Sequence, residues 1–364
     1  MDADAAARWQ SEPALGAPME RVRTAIIGAG VMGREHMKWL GPVAEAQVVA
    51  VVDPHLPSAE KLAASGETGT RAFADADEML AASSPEYVIV ASPPKFHAQQ
   101  CIAAFAAGAH VLCEKPLCMS VVEGEAMQAA ALKAGRLFTI GFQIRQSPAE
   151  QAVRRFLADG GLGPIYHTRV WGGHAMSYPW GRYFHRQDMS LGGVLAATTV
   201  HPLDAVYWLL GAPEPLTVTA STFRRIDKMP DPPIHFEGEV AEVSVEDFGH
   251  AHVRFADGSS MSIEGNWLQH PRTRGHGWEV HGTLGVAQDV APFVALDSKS
   301  EVTPVELEIG VEPESRTAAE HQAFIDAIRG RVEPAVSWRE ALGVQRLLNA
   351  MYESAEAGAE VRLG

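Results

Sequence analysis

Arg23-Thr24-Ala25-Ile26-Ile27-Gly28-Ala29-Gly30-Val31-Met32-Gly33, running on to Leu40, decides how this chain folds. An apolar, β-prone run over 23–27 is broken by glycines, and residues 31–40 then carry a helical pattern. Strand, tight turn and helix follow one another directly. The glycines fit G-x-G-x-x-G, which permits the turn, lets a phosphate approach backbone N–H groups and brings helix and strand close together. The helix N-terminus adds partial positive charge at the same point.

Working outward, residues 47–52 repeat the strand signal and end at Asp53, about twenty residues beyond the glycines, where a carboxylate can accept hydrogen bonds from ribose hydroxyls. Gly28, Gly30, Val31, Met32, Gly33 and Asp53 are therefore candidate contacts of a dinucleotide. A carboxylate at that position repels a 2′-phosphate, so NAD is expected, with NADP as the alternative and His55 as a neighbour that softens the preference.

The alternation continues with helix 58–64, strand 87–91, helix 98–107, strand 110–113, helix 121–133 and strand 137–142. Parallel strands need crossover connections, so this rhythm predicts a doubly wound parallel sheet over 21–141. From about residue 165 the rhythm changes. β-prone runs at 165–171, 216–224, 240–245, 250–255, 260–266 and 278–281 stand with little helix between them. They predict an α+β domain over 142–364 with a large, mostly antiparallel open sheet covered by helices such as 201–210. Helices at 317–328 and 338–355 are expected to pack back on either domain. Residues 1–20, rich in Ala, Asp, Glu and Pro, read as a flexible leader.

Composition agrees with two globular domains, because 364 residues exceed the roughly 250–300 at which single cores stop growing. The hydrophobic fraction of 46% and the charged fraction of 21% are ordinary for a soluble chain. A formal charge of -15 repels nucleic acid and anionic lipid, so neither is expected as a partner. The absence of a long apolar run and of an export signal points to the cytoplasm. Cys101, Cys113 and Cys118 form no C-x-x-C pair, and the 15 histidines show no H-E-x-x-H spacing. Neither disulfides nor a metal are expected.

Val88-Ile89-Val90-Ala91-Ser92-Pro93-Pro94 leads to His97, and His110-Val111-Leu112-Cys113-Glu114-Lys115-Pro116 closes the next strand. Further on stand Gly192-Gly193-Val194-Leu195, then His201, Asp204 and Trp208-Leu209-Leu210-Gly211. With these motifs the chain resembles, over nearly all its length after the leader, the glucose-fructose oxidoreductase, inositol dehydrogenase and rhizopine-catabolism family, Gfo/Idh/MocA. The resemblance implies a Rossmann domain with Ser92, Pro93, His97 and Glu114 beside the cofactor. It also implies Lys115 at the nicotinamide and substrate hydroxyl, His201 as an acid–base residue from the second domain, and a homodimer or homotetramer.

The chemistry of the side chains is consistent with those roles. Oxidising a carbinol requires a group that takes the hydroxyl proton, and a histidine can take and return one near neutrality. A lysine at a strand's carboxyl end can polarise a carbonyl oxygen or, if desolvated, act as the base. One departure stands out. The family pattern has Asp four residues before the His and Gly two before it, whereas this chain has Ala197 and Thr199. Asp204, one helical turn after His201, or the hydroxyl of Thr198 or Thr199, is the expected substitute. Arg145, His174, Tyr178, Trp180, Arg182, Tyr183 and His185 are candidate pocket residues for a ring-shaped substrate.

The expected function is an NAD(H)-dependent oxidoreductase acting on CH–OH or CH–CH groups of a small sugar, cyclitol or cyclic diol, with Lys115, His201 and Asp204 as catalytic residues. The alternatives are an NAD-dependent redox-assisted lyase or glycosidase, and a non-catalytic NAD- or ligand-binding regulator.

Overall fold

The computed structural model describes residues 20–175, 183–228, 243–269, 275–298 and 301–363. Nearly all of the expected leader, at 1–19, lies outside the described residues. The first half alternates β1 (Val22–Ile27), α1 (Val31–Leu40), β2 (Ala46–Val52), α2 (Leu56–Ala64), β3 (Arg71–Phe73), α3 (Ala76–Ser83), β4 (Tyr87–Val90), α4 (His97–Ala106), β5 (His110–Cys113), α5 (Val121–Ala134) and β6 (Phe138–Ile140). These six strands pair in parallel in the order β3-β2-β1-β4-β5-β6. Helices cover both faces, which is why every residue of Tyr87-Val88-Ile89-Val90 can be apolar and buried. The order reverses between β1 and β4, and ligands of doubly wound sheets bind outside the carboxyl ends of the strands at such a point.

The second half contains α6 (Pro148–Ala158), β7 (Ile165–Ala175), a short α7 (Gln187–Ser190), a π-helical turn at Leu195–Thr199 and α8 (Val200–Leu209). There follow β8 (Pro215–Phe223), β9 (Phe248–Phe255), β10 (Ser260–Gln269), β11 (Gly277–Gly282), β12 (Gly285–Gln288), β13 (Val294–Ser298), β14 (Glu301–Pro304), α9 (Arg316–Ile328), α10 (Trp338–Ala357) and β15 (Val361–Arg362). Nine strands form one sheet in the order β14-β13-β12-β11-β7-β10-β9-β8-β15. Among the described strands of this second sheet, only β7 and β10 pair in parallel. The expected strand at 240–245 is not one where it is described, since residues 243–245 are irregular.

Alternation along β9 buries Gly249, Ala251, Val253 and Phe255 and turns His250 and Arg254 outward, so one face of this sheet packs and the other is open. The packed face carries α8, which is buried from Pro202 to Leu209; His201, near its start, is half-buried. α9 returns to the first domain, where Phe324 and Ile325 share an apolar cluster with Val22, Ile26 and Met37. α10 reaches both domains: its Gln345 accepts from Cys118 N–H at 3.3 Å, and Ser354 Oγ accepts from Ala220 N–H at 2.9 Å. Among the described residues no helix is long and apolar enough to cross a membrane.

Candidate active site

The glycine turn is built for close approach. Gly28 has φ 104°, and a Cβ there would stand 2.7 Å from the Ala91 carbonyl oxygen. At Gly33 a Cβ would lie 1.9 Å from the Gly28 oxygen, so helix and strand touch only because it is absent. Gly30 differs, since a Cβ there meets no heavy atom within 4 Å and the space above the turn is open. Gly30 is also the N-cap of α1, and no side chain caps it, so the first N–H groups of the helix remain available to an anion.

At the tip of β2 the Asp53 carboxylate accepts from Ala29 N–H at 2.9 Å through Oδ2 and from His55 N–H at 2.9 Å through Oδ1. These bonds fix its charge beside the turn while leaving lone pairs for a further donor. Open space over Gly30, an uncapped helix start and an oriented carboxylate fit NAD. Val31 and Met32, the first residues of α1, are half-buried at the same edge.

Glu114 and Lys115 follow β5. Glu114 is buried; its Oε1 meets His36 Nε2 at 3.0 Å and its Oε2 accepts from Lys115 N–H at 3.1 Å. Burial opposes its charge, but the His36 hydrogen bond and the charges of His36, Lys115 and His201 prevail and hold the carboxyl at about 2. Gly141 leaves room for it, because a Cβ there would be 3.0 Å from Glu114 Oε1. Lys115 crosses to the second domain, where Nζ donates to the Ala197 carbonyl at 3.0 Å. Burial pulls its pKa down, with Glu114 opposing.

Ala197 lies in the turn that leads into His201. Burial, then the neighbouring Lys115 charge, lowers the His201 imidazole to about 3, with Glu114 opposing and His276 adding to the fall. Lys115, Glu114 and His201 thus share one electrostatic neighbourhood across the two domains. His201 Nδ1 is buried without a hydrogen-bond partner.

Two expected site residues are placed elsewhere. Asp204 does not serve His201: it is fully buried, and both its oxygens accept from Arg145, Oδ2 from Nε at 3.0 Å and Oδ1 from Nη2 at 2.7 Å. Arg145 is 2% exposed and also binds Glu340 at 3.1 Å and the Ala335 carbonyl at 3.0 Å, so it joins structural elements rather than lining a pocket. A polar helix face one turn past His201 is used for packing because α8 is surrounded by core. Of the Thr hydroxyls, Thr199 donates to the Val194 carbonyl at 3.0 Å, and Thr198 accepts from Trp267 Nε1 at 2.8 Å.

His97 is fully buried, its Nε2 2.8 Å from the Ser92 carbonyl and its Nδ1 3.0 Å from the Pro116 carbonyl. It ties the Ser92-Pro93 loop to the loop after Lys115 and has no exposed surface for a cofactor. The Ser92 hydroxyl donates to Gln100 at 2.5 Å. Tyr178, Trp180 and Arg182 and the side chain of His174 lie outside the described residues. Tyr183 is half-buried and His185 buried, just before α7.

Three residues escaped the sequence reading. His276, exposed before β11, acts on His201 but follows a stretch that reads only as loop. Glu246 accepts from Gly193 N–H at 2.7 Å, Leu195 N–H at 3.0 Å and Tyr352 hydroxyl at 2.9 Å, anchoring the turn before α8. His36, inside an apparently ordinary amphipathic helix, is fully buried against Glu114.

Comparison with known proteins accords with this geometry. A profile described as oxidoreductase family, NAD-binding Rossmann fold, matches residues 22–142, and a Gfo/Idh/MocA C-terminal domain profile matches 151–288. The D-glucoside 3-dehydrogenase of Escherichia coli (strain K12) is 28% identical over 344 residues, 94% of this chain and 97% of that one. An inositol 2-dehydrogenase of Rhizobium meliloti (strain 1021) is 28% identical over 342 residues, 92% of this chain and 96% of that one. The solved structure of GenD2 from gentamicin A biosynthesis in complex with NAD superposes with TM-score 0.76 at 26% identity, covering 98% of this chain and 100% of that one. The chain belongs to the Gfo/Idh/MocA family of NAD-binding Rossmann-fold oxidoreductases.

Proposed function

We propose that this oxidoreductase is a dehydrogenase or reductase of a ring hydroxyl in a small glycoside or cyclitol, with Lys115 and His201 governing the hydroxyl proton. The observation that carries the reading is the Lys115 ammonium bonded to the Ala197 carbonyl at 3.0 Å, which brings the carboxyl edge of the parallel sheet against the start of α8. Two relatives named for a glucoside and an inositol support the substrate class.

Bound NAD supplies the acceptor for the hydride that leaves the carbinol carbon. The chain's own residues do the rest. The start of α1 holds the pyrophosphate, and Asp53 accepts from the ribose hydroxyls. Lys115 and His201 hold the substrate oxygen and carry its proton. Packing of α8 against the nine-stranded sheet keeps His201 in place without occupying its exposed side.

Purified protein with NAD⁺ and a panel of glycosides and cyclitols should give rising absorbance at 340 nm with at least one of them. No change across the panel, in either direction of reaction, overturns the reading. Turnover of a glycoside without net NADH would favour the redox-assisted lyase or glycosidase instead.

A further inference from the structure

Thr199 stands where the family pattern has glycine, and it is fully buried against the nine-stranded sheet. The sheet gives up the space instead. Gly172 of β7, Gly265 of β10 and Gly249 of β9 lie level on three adjacent strands, since Gly265 pairs with both of the others. A Cβ at Gly172 would lie 2.5 Å from the Thr199 Cα and 2.7 Å from its Oγ1, and one at Gly265 would lie 2.7 Å from the same oxygen. At Gly249 the atoms met belong to the Leu195 side chain, with Cδ1 at 2.6 Å. None of these three glycines has a left-handed φ, so what glycine supplies here is room for a close approach rather than a turn.

The contacts differ in what would have to yield. An added methyl at Gly249 presses on a side chain, which can repack at a cost in stability. One at Gly172 presses on main chain, and the Thr199 Cα can yield only by carrying its turn with it. That turn, Leu195–Thr199, offers its Ala197 carbonyl to Lys115 Nζ two residues before Thr199 and runs into His201 two residues after it. It is held from the other side as well. Glu246 binds the N–H groups of Gly193 and Leu195, and a Cβ at Gly193 would lie 1.8 Å from the Glu246 carbonyl oxygen. The Thr199 hydroxyl closes the turn on itself by donating to the Val194 carbonyl at 3.0 Å.

We propose that Thr199, seated on Gly172, is a positioning residue that sets how far the Ala197 carbonyl and His201 stand out from the sheet, and so whether His201 and Lys115 meet at one substrate oxygen. The assignment rests on the dehydrogenase reading above. It adds two residues to that site, both buried, which act through the height of the turn and not by contact with the reacting atoms.

Paired variants test it. Gly172→Ala and Gly249→Ala add the same methyl to neighbouring positions, and both should lower the melting temperature. Only Gly172→Ala moves the turn. Its kcat should fall at least about tenfold, because a misplacement of about 1 Å at a reacting group can cost about a hundredfold. Gly249→Ala should keep kcat within about threefold of the parent. NADH affinity should hold within about twofold in both, since the dinucleotide turn lies in the other domain. Crystal structures of the two variants, which need no substrate, should show the 197–201 backbone displaced from β7 in Gly172→Ala and unmoved in Gly249→Ala. Parent kcat in a folded Gly172→Ala protein, or an equal fall of kcat in Gly249→Ala, overturns the assignment. If Gly172→Ala does not fold, Thr199→Ala and Thr199→Ser decide. The alanine, which empties the seat and drops the bond to Val194, should lower kcat, and the serine, which keeps that bond, should restore most of it; parent kcat in Thr199→Ala overturns the assignment. If no substrate turns over, the dehydrogenase reading fails separately, and an unmoved turn in the Gly172→Ala crystal structure still overturns the seating of Thr199.

Discussion

His36 donates from Nε2 to Glu114 Oε1 at 3.0 Å, which ties the helix of the dinucleotide cradle to the residue beside Lys115. Behind it, His36 Nδ1 lies 3.1 Å from His321 Nε2, and His321 Nδ1 lies 2.8 Å from the Tyr87 hydroxyl. All four side chains are buried. An ionised carboxylate can only accept, so His36 carries its proton on Nε2. A tautomer set that satisfies every atom runs the hydrogen bonds one way, from Tyr87 through His321 and His36 to Glu114. The string joins β4, α9, α1 and the end of β5, and so holds α9 on the first domain as well as Glu114 in place.

Removing the donor next to the charge should cost far more than removing the far end. His36→Leu leaves a buried carboxylate without its partner and should destabilise the fold by about 3 kcal/mol or more in urea unfolding. Tyr87→Phe removes one neutral hydroxyl and should cost about 1 kcal/mol. The Glu114 carboxyl is held at about 2 against an ordinary 4.5, so its contribution is fully present above the ordinary value and is lost as pH falls toward about 2. Acid unfolding of His36→Leu, followed by circular dichroism, should therefore begin at higher pH than in the parent. Coincident acid transitions would mean that Glu114 draws its low pKa from elsewhere.

The two glycines that flank the start of α1 should respond oppositely to the same methyl group. Gly33→Ala forces a Cβ against the Gly28 carbonyl and should destabilise by about 1–3 kcal/mol, read as a lower melting temperature. Gly30→Ala meets no protein atom, so melting should be nearly unchanged. Its methyl instead enters the open space above the helix N-terminus, and NADH binding followed by fluorescence should weaken at least about tenfold. Unimpaired NADH binding in Gly30→Ala would place the pyrophosphate elsewhere.

Asp53 fixes a negative charge beside that space through the N–H groups of Ala29 and His55. Asp53→Ser removes the charge and one ribose acceptor while keeping a small hydroxyl. NADH should bind about tenfold more weakly, and NADPH, relieved of repulsion with its 2′-phosphate, should lose less or gain. Fluorescence titrations with the two cofactors measure the ratio; an unchanged ratio removes Asp53 from cofactor choice.

Much of this was legible because local signals and global fold coincide. The glycine turn, the apolar strands around it and the helix at 31–40 are short-range features, and α1 begins and ends where the pattern says. Strands buried on one face, such as β9, announce themselves by alternation. Partner choice was not legible. Arg145 and Asp204 are far apart in sequence, and nothing local says that their charges face one another rather than a substrate. Residues 243–245 are apolar enough for a strand but form none; the adjoining Glu246 and Asp247 instead turn their carboxylates onto backbone N–H groups of Gly193, Leu195, Arg225 and Ile226. The contact of Lys115 with the Ala197 carbonyl was invisible as well, because the two residues lie far apart in sequence and nothing local says that Nζ reaches that turn.

Arg145 and Asp204 show how a buried pair differs from a binding residue. Arg145→Met strands the fully buried Asp204 and should destabilise by about 3–5 kcal/mol. Adding Asp204→Leu removes the stranded charge, and the double variant should regain much of that loss, although Glu340 then faces the site alone. Because neither side chain is bonded to Lys115 or His201, the folded double variant should keep the parent's kcat/KM pH profile and change KM by less than about threefold. Urea unfolding and steady-state kinetics on the three proteins separate the cases. A KM raised more than about tenfold with unchanged stability would return Arg145 to the substrate pocket.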